Sequence, residues 1–263
     1  MKEDLVVLLE WLNANGVSDI FNEQVADDTV NTANRPKTLN GFVKALAEQQ
    51  KEIKHLNPIF CEINKIRGYA DQINDIDSIT EFIKNSDIYD NFRKSATNTV
   101  ILNGNKKSKI LVINDLPNDD DDINGEVVSG DGGLLLQSML KSIDISGNDY
   151  CLLNSFFWRL PGNRTPIKEE LEVCKPFVEK LIHLIDPKLI IFTGNYSIST
   201  IFENNKTLIS LRGKFADYTN CYMRNSIKIT ATYGANFLLK NKAKKRDVWH
   251  DLLEISNFLD QIE

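Results

Sequence analysis

Four short apolar runs, KILVIND (109–115), YCLLNSF (150–156), KLIIFTG (188–194) and IKITATYG (227–234), constrain this 263-residue chain more than anything else in it. Each is nearly continuous in its apolar character rather than alternating, and each gives way to a turn and then to a segment of helical periodicity. Continuous apolar strands are what a sheet covered on both faces requires, because both sides of the pleat are buried. The pattern predicts a three-layer α/β/α sandwich with a four-stranded, largely parallel central sheet. Its helices are expected over 133–143, 168–185, 197–203 and 244–262, the second announced by Pro166. In such sheets ligands collect beyond the carboxyl ends of the strands. The loops of interest are therefore 114–133, 154–165, 194–196 and 233–240.

The chain upstream reads differently. Helices are expected at Leu5–Leu12, at Leu39–Ile53 and at Ile79–Phe92, the last with Ser78 as its cap. A polar linker, NEQVADDTVNTANRPKT, lies between the first two. The expected division is a helical N-terminal extension with linker, 1–85, and an α/β domain, 86–263. The opening MKEDLVVLLEWLNANG is too short in its apolar stretch for a membrane span and carries acidic residues near its start, so it reads as an amphipathic helix. A cytoplasmic monomer with no membrane attachment is the resulting expectation.

Cys61, Cys151, Cys174 and Cys221 are far apart, with no Cys-x-x-Cys pair, and read as reduced thiols; no metal site and no cofactor are expected. The net charge of −6 argues against a generally basic nucleic-acid coat. Local basic runs do exist, NGNKKSK (103–109) and LLKNKAKKR (238–246), and a few placed cations suffice for phosphate.

Two loops carry chemistry-bearing residues. In VINDLPNDDDDINGEVVSGDGG (112–133), Asp120, Asp122, Asn124, Gly125 and Asp131 match positions one, three, five, six and twelve of a calcium loop. A strand precedes it instead of a helix, and the twelfth residue is Asp rather than Glu, so a solvated acidic turn is the preferred reading. In LLNSFFWRLPGNRTPIKEELEVCKPF (152–177), Arg159, Asn163 and Arg164 precede a helix. That loop suits phosphate, or it is a structural loop pinned by Arg to backbone carbonyls; both readings stand.

Taken with ATNTVI, KILVINDLP, GDGGLLLQSML, ISLRGKF and TYGANFLLKNKAKKRDVWHDLLEI, these segments resemble the uracil-DNA glycosylase superfamily, family four most closely, over about residues 90–260. The resemblance implies that a damaged base is flipped out of DNA and its N-glycosidic bond hydrolysed. It implies site residues position by position. Where the family has Gly-Glu-x-Pro-Gly this chain has Asn114, Asp115, Leu116, Pro117 and Asn118, so Asp115 is the catalytic carboxylate, one methylene shorter. Asn154 matches the asparagine that reads the base edge. Val128 stands where the family stacks an aromatic on uracil, and Gly234 and Ala235 stand at the His-Pro of the last motif.

Phe237, Leu238, Lys240 and Lys242 are the DNA-binding residues by this resemblance, and Arg164 is the DNA-binding residue that the phosphate reading of the Pro-Gly loop offers. Phe237, Leu238 or Leu239 would serve as a wedge in the base stack, with helix packing as the other reading of the leucines. Of the family's four cluster cysteines only Cys174 has a counterpart; Trp158 holds one position, and Asp87 and Asp90 lie near the first pair. Two functions follow: base excision of weak or altered specificity, or a degenerate relative that binds DNA or a protein partner without excision.

Overall fold

The computed structural model describes residues 58–202 and 206–261. The expected helices at 5–12 and 39–53, with their linker, lie outside the described residues. The compact unit that carries the described residues runs from Leu56 to Glu263.

A six-stranded sheet organises it, in the order β1-β3-β2-β4-β6-β5. Four strands, β2 (Ile110–Asn114), β3 (Tyr150–Asn154), β4 (Leu189–Phe192) and β6 (Ile227–Ala231), are mutually parallel and are the four apolar runs of the sequence. The sheet exceeds the expected four strands by two short antiparallel edges, β1 (Leu102–Gly104) and β5 (Ala216–Tyr218). Three-residue strands carry too little periodicity to stand out in sequence, and they close the sheet edges.

The period-two alternation of each strand divides the core. Leu111, Ile113, Ile190, Phe192, Ile229 and Ala231 face one cluster, which is covered by α1 (Pro58–Gln72), α2 (Ile76–Asn85), α6 (Lys168–Ile185), α7 (Asn195–Ile201) and α8 (Leu208–Leu211). Ile110, Val112, Leu152, Leu189 and Ile191 face the other, covered by α5 (Gly130–Lys141), α9 (Ala235–Lys240) and α10 (Lys245–Leu259). The three-layer α/β/α class expected from sequence is the one observed. Ile66, Ala70, Ile79 and Ile83 of α1 and α2 belong to the first of these clusters.

Local capping corrects the third predicted helix. Asp75, not Ser78, is the N-cap of α2, and its carboxylate accepts from the Ser78 amide at 2.7 Å. The helix stops at Asn85. A 3-10 turn, Asp87–Tyr89, and the short α3, Asp90–Arg93, continue it.

Candidate active site

The carboxyl edge of the parallel sheet places four polar side chains at one register level. Asn114 and Asn154 are Cα partners at the ends of β2 and β3. Thr193 and Thr232 follow directly on the paired Phe192 and Ala231. Three of them join in one chain of hydrogen bonds. Asn154 Nδ2 donates to the Val100 carbonyl at 3.0 Å, Asn114 Nδ2 to Asn154 Oδ1 at 2.8 Å, and Thr193 Oγ1 to Asn114 Oδ1 at 3.4 Å. Asn154 is fully buried. The amide matched to base reading therefore has its acceptor held by Asn114, a residue standing where the resembling family has glycine.

Asp115, one step on in the pleat, turns toward the opposite face of the sheet. Its Oδ1 accepts from the Ser197 amide at 2.7 Å, and its carboxylate lies against Gly194, where a Cβ would collide with it. Gly194 is the N-cap of α7 and has no side chain to cap with. Asp115 thus caps α7 from another strand, occupying the positive end of that helix. Burial pushes its carboxyl above the ordinary carboxylate range, against the opposing pull of the Ser197 and Tyr196 amides.

The aspartate run is a helix start rather than a loop, with Asp119 and Asp120 exposed and Asp121 and Asp122 buried. Residues 119–124 form a short helix, α4 (Asp119–Asn124), with a capping box between Asn118 and Asp121, and all four aspartates sit in its first turn where the helix dipole favours them. Asp121 is fully buried; it accepts from Asn118 N at 3.0 Å and from Ser129 N at 2.5 Å. Asp122 accepts from Thr97 N at 2.8 Å, from Asn98 N at 2.9 Å and from Arg159 Nε at 3.0 Å. Oxygens saturated by N–H donors are the reverse of a cation's ligand set, and Asp122, the third position of the calcium spacing, is filled in this way; among the described residues no cluster of His, Cys, Asp and Glu could hold a metal ion.

These anchors shape position 128. Asn103 Oδ1 takes the Val127 amide at 2.9 Å, and Asp121 takes that of Ser129. Val128, hooked on both sides, is buried at φ 53, a left-handed conformation that costs a β-branched residue roughly 1–3 kcal/mol. Its carbonyl approaches Gly133 so closely that a Cβ there would lie 2.5 Å away.

Gly234 packs on the end of β4. A Cβ at this position would sit 2.6 Å from the Thr193 carbonyl oxygen. Beyond it Leu238 is buried in the second core cluster with Ala235, Val248 and Leu252, whereas Phe237 and Leu239 are exposed. Helix packing, not wedging, is the place the fold gives Leu238. Lys240 and Lys242 are exposed on the same segment.

The Pro-Gly loop spends its guanidiniums internally. Arg159 pairs with Asp119 and Asp122, and Arg164 makes a two-pronged ion pair with Glu170, Nη1 at 2.8 Å and Nη2 at 2.6 Å. Arg164 Nη1 also donates to the Thr165 carbonyl at 3.2 Å, so of the two readings the loop is the structural one, pinned to carboxylates and to one backbone carbonyl. Asp115 and the Asn154 row lie at one sheet edge with their side chains turned to opposite faces; Arg164 does not join them in any described contact.

Among the described residues the four-cysteine cluster brought by the family resemblance has no matching donors. Around Cys174 the chain places Trp158, stacked on Phe92 at 5.5 Å and close to Tyr89 at 4.9 Å, with Phe177 beyond. Trp158 donates to Thr99 Oγ1 at 3.0 Å, Tyr89 to the Val173 carbonyl at 3.3 Å, and Cys174 is fully buried with its thiol pushed up by burial. Asp90 is engaged by Arg93 and Lys94. One protonated thiol inside an aromatic cluster does not fit an iron–sulfur centre, which needs four ligands.

Sequence reasoning missed Thr193, Thr232, Gly194 and the capping role of Asp115. The signal available was a polar residue closing several apolar runs, IN, LLN, FTG and TAT, at what proves to be one register.

A family model described as the uracil DNA glycosylase superfamily matches residues 102–253. Among curated proteins the chain is similar to the type-4 uracil-DNA glycosylase of Thermotoga maritima, 28% identical over 166 residues that cover 62% of this chain and 84% of that protein. It is also similar to those of Sulfurisphaera tokodaii, 29% over 164 residues (60% and 74%), and Saccharolobus solfataricus, 30% over 173 residues (64% and 78%).

Proposed function

Because the chain belongs to the uracil-DNA glycosylase superfamily, we propose that it acts on DNA in base excision repair, hydrolysing the N-glycosidic bond of a flipped-out base. The observation that carries this reading is the placement of a half-buried carboxylate, Asp115, next in the chain to the amide row Asn154–Asn114 at the carboxyl edge of the sheet.

Water attacks the sugar C1′ as its bond to the base breaks, and the base leaves with the electron pair. Asp115 orients that water, accepts its proton and lies close to the oxocarbenium-like charge. The amides of α7 fix the carboxylate in advance. Asn154 reads the base by exchanging the Asn114 hydrogen bond for one to the base edge, which has the required donor and acceptor.

Turnover on this reading is slow. Gly234 supplies no side-chain donor to the leaving base, and a missing preorganised donor costs about a hundred- to a thousandfold. Val128 offers apolar contact without a π face.

A second reading, binding of DNA or a protein partner without excision, is favoured by one observation: the acceptor of Asn154 is already occupied by Asn114. Single-turnover assays on single- and double-stranded DNA containing uracil, xanthine or hypoxanthine separate the two. Release above background that disappears in Asp115→Ala supports excision. No release from any substrate overturns it, and affinity for a short duplex at two salt concentrations then decides whether DNA is bound at all. The proposal includes a monomer in the cytoplasm, checked by light scattering and cell fractionation. Among the described residues no helix is long and apolar enough to cross a membrane.

A further inference from the structure

The segment after β6 carries an aromatic stack that the excision chemistry does not use. Tyr233 and Phe237 are stacked, 4.8 Å between ring centroids and 25° between planes. The Arg212 guanidinium sits 4.0 Å from the Tyr233 centroid. The Lys244 ammonium also lies over the Tyr233 ring, 5.9 Å from its centroid. Arg212 is itself fixed, its Nε donating to Asp251 Oδ2 at 2.9 Å, where the Thr232 hydroxyl also donates at 2.9 Å. Asp251 is buried. The backbone of Phe237 is held as well, its carbonyl accepting from Asn241 N at 2.9 Å and Asn241 Nδ2 at 3.0 Å.

The outermost member of this rigid column is exposed: Phe237 keeps 42% of its surface accessible. Lys240, Lys242, Lys244, Lys245 and Arg246 follow it on the exposed surface. A wedge that enters a duplex must lie between two bases, with both faces covered. Phe237 has one face on Tyr233 and only one to offer. That geometry fits a terminal or unpaired base laid on top of the column.

We infer that Phe237, backed by Tyr233 and Arg212, is a stacking platform for one unpaired nucleobase, with the following lysines on the flanking phosphates. The platform gives the protein a preference for single-stranded or locally melted DNA. Stacking of this kind tolerates any base, because every base has a π face. The inference rests on the DNA reading proposed above.

The test uses the full chain and a short single-stranded oligonucleotide carrying 2-aminopurine. Wild type is expected to bind it more tightly than the matching duplex and to quench its fluorescence. Phe237→Ala is expected to lose about five- to a hundredfold in single-strand affinity and to abolish the quenching. The salt dependence should stay unchanged because the lysines are intact, and so should the melting temperature. Phe237→Trp should restore both affinity and quenching. Wild-type affinity and quenching in Phe237→Ala would overturn the platform while leaving DNA binding standing. A duplex preference weakened by Phe237→Ala would overturn it in favour of a wedge. A wild-type protein that binds no DNA would overturn the DNA reading and the platform with it.

Discussion

Asp122→Asn tests whether the aspartate run is scaffold or solvated surface. The side chain is 2% exposed and its two oxygens accept three N–H donors: Thr97 and Asn98 amides on Oδ1, Arg159 Nε on Oδ2. Asparagine keeps an oxygen for the two amides but takes away their charge assistance, and it sets an NH2 against the Arg159 donor. A hydrogen bond to a charged group contributes about 1.5–3 kcal/mol against roughly 1 for a neutral one. Arg159 is 25% exposed and retains Asp119 at 3.1 Å, so its share is discounted for solvent screening. The sum is about 2–3 kcal/mol, or about 4–12 °C in melting temperature for a unit of this size.

The pH dependence follows with a definite sign. Burial pushes the Asp122 carboxyl up, but the Asn98 and Thr97 amides and the Arg159 guanidinium outweigh it, and the group lies below its ordinary value. A depressed carboxyl contributes stability that is present above the unfolded pKa, about 3.9, and lost as pH falls through the folded value. Urea denaturation at pH 7 should show the full gap between wild type and variant, and the gap should close in acid below about pH 4. A gap under about 1 kcal/mol at pH 7, or one that stays constant down to pH 3, would refute the reasoning and return the run to a solvated turn.

Three further outcomes are expected. Asp115→Asn should abolish base release yet be at least as stable as wild type at pH 7, because the amide still caps α7. The Asp115 carboxyl is raised by burial, so its contribution is present below the unfolded pKa and lost as pH rises through the folded one; the variant's advantage should grow from pH 4 to 7 in thermal melts. Asn114→Gly should lower stability by about 2–4 kcal/mol, from an unpaired buried Asn154 oxygen and a glycine in a strand, while raising the rate of base release; unchanged stability in denaturant would sink the lock. Gly234→His should destabilise by about 1–3 kcal/mol and give no gain in base release, since its Cβ meets the Thr193 carbonyl; a faster variant would show that β4 and α9 can separate.

The four central strands, the helix Lys168–Ile185 and the two-sided burial were legible because apolar periodicity is a local property of the chain. The edge strands were not, since three residues carry no usable period. Asp115 and Asn154 were identifiable as residue types at strand ends through the family resemblance, but their partners were not. Asn114 and Asn154 are forty positions apart, Asp115 and Ser197 eighty-two, and only strand register brings them together.

The sequence by itself determined the three-layer class, the sheet edge at which ligands are expected, and the resemblance to the family. Those are matters of residue identity and period. Only the tertiary structure decided that the aspartate run starts a helix whose buried members anchor a strained Val128. Only it decided that Asp115 caps α7 from a neighbouring strand, and that the cysteine region is filled by Trp158 and Tyr89. The physical reason is that burial and hydrogen-bond satisfaction depend on neighbours distant in the chain. A carboxylate is solvated, catalytic or structural according to which N–H groups the fold turns toward it.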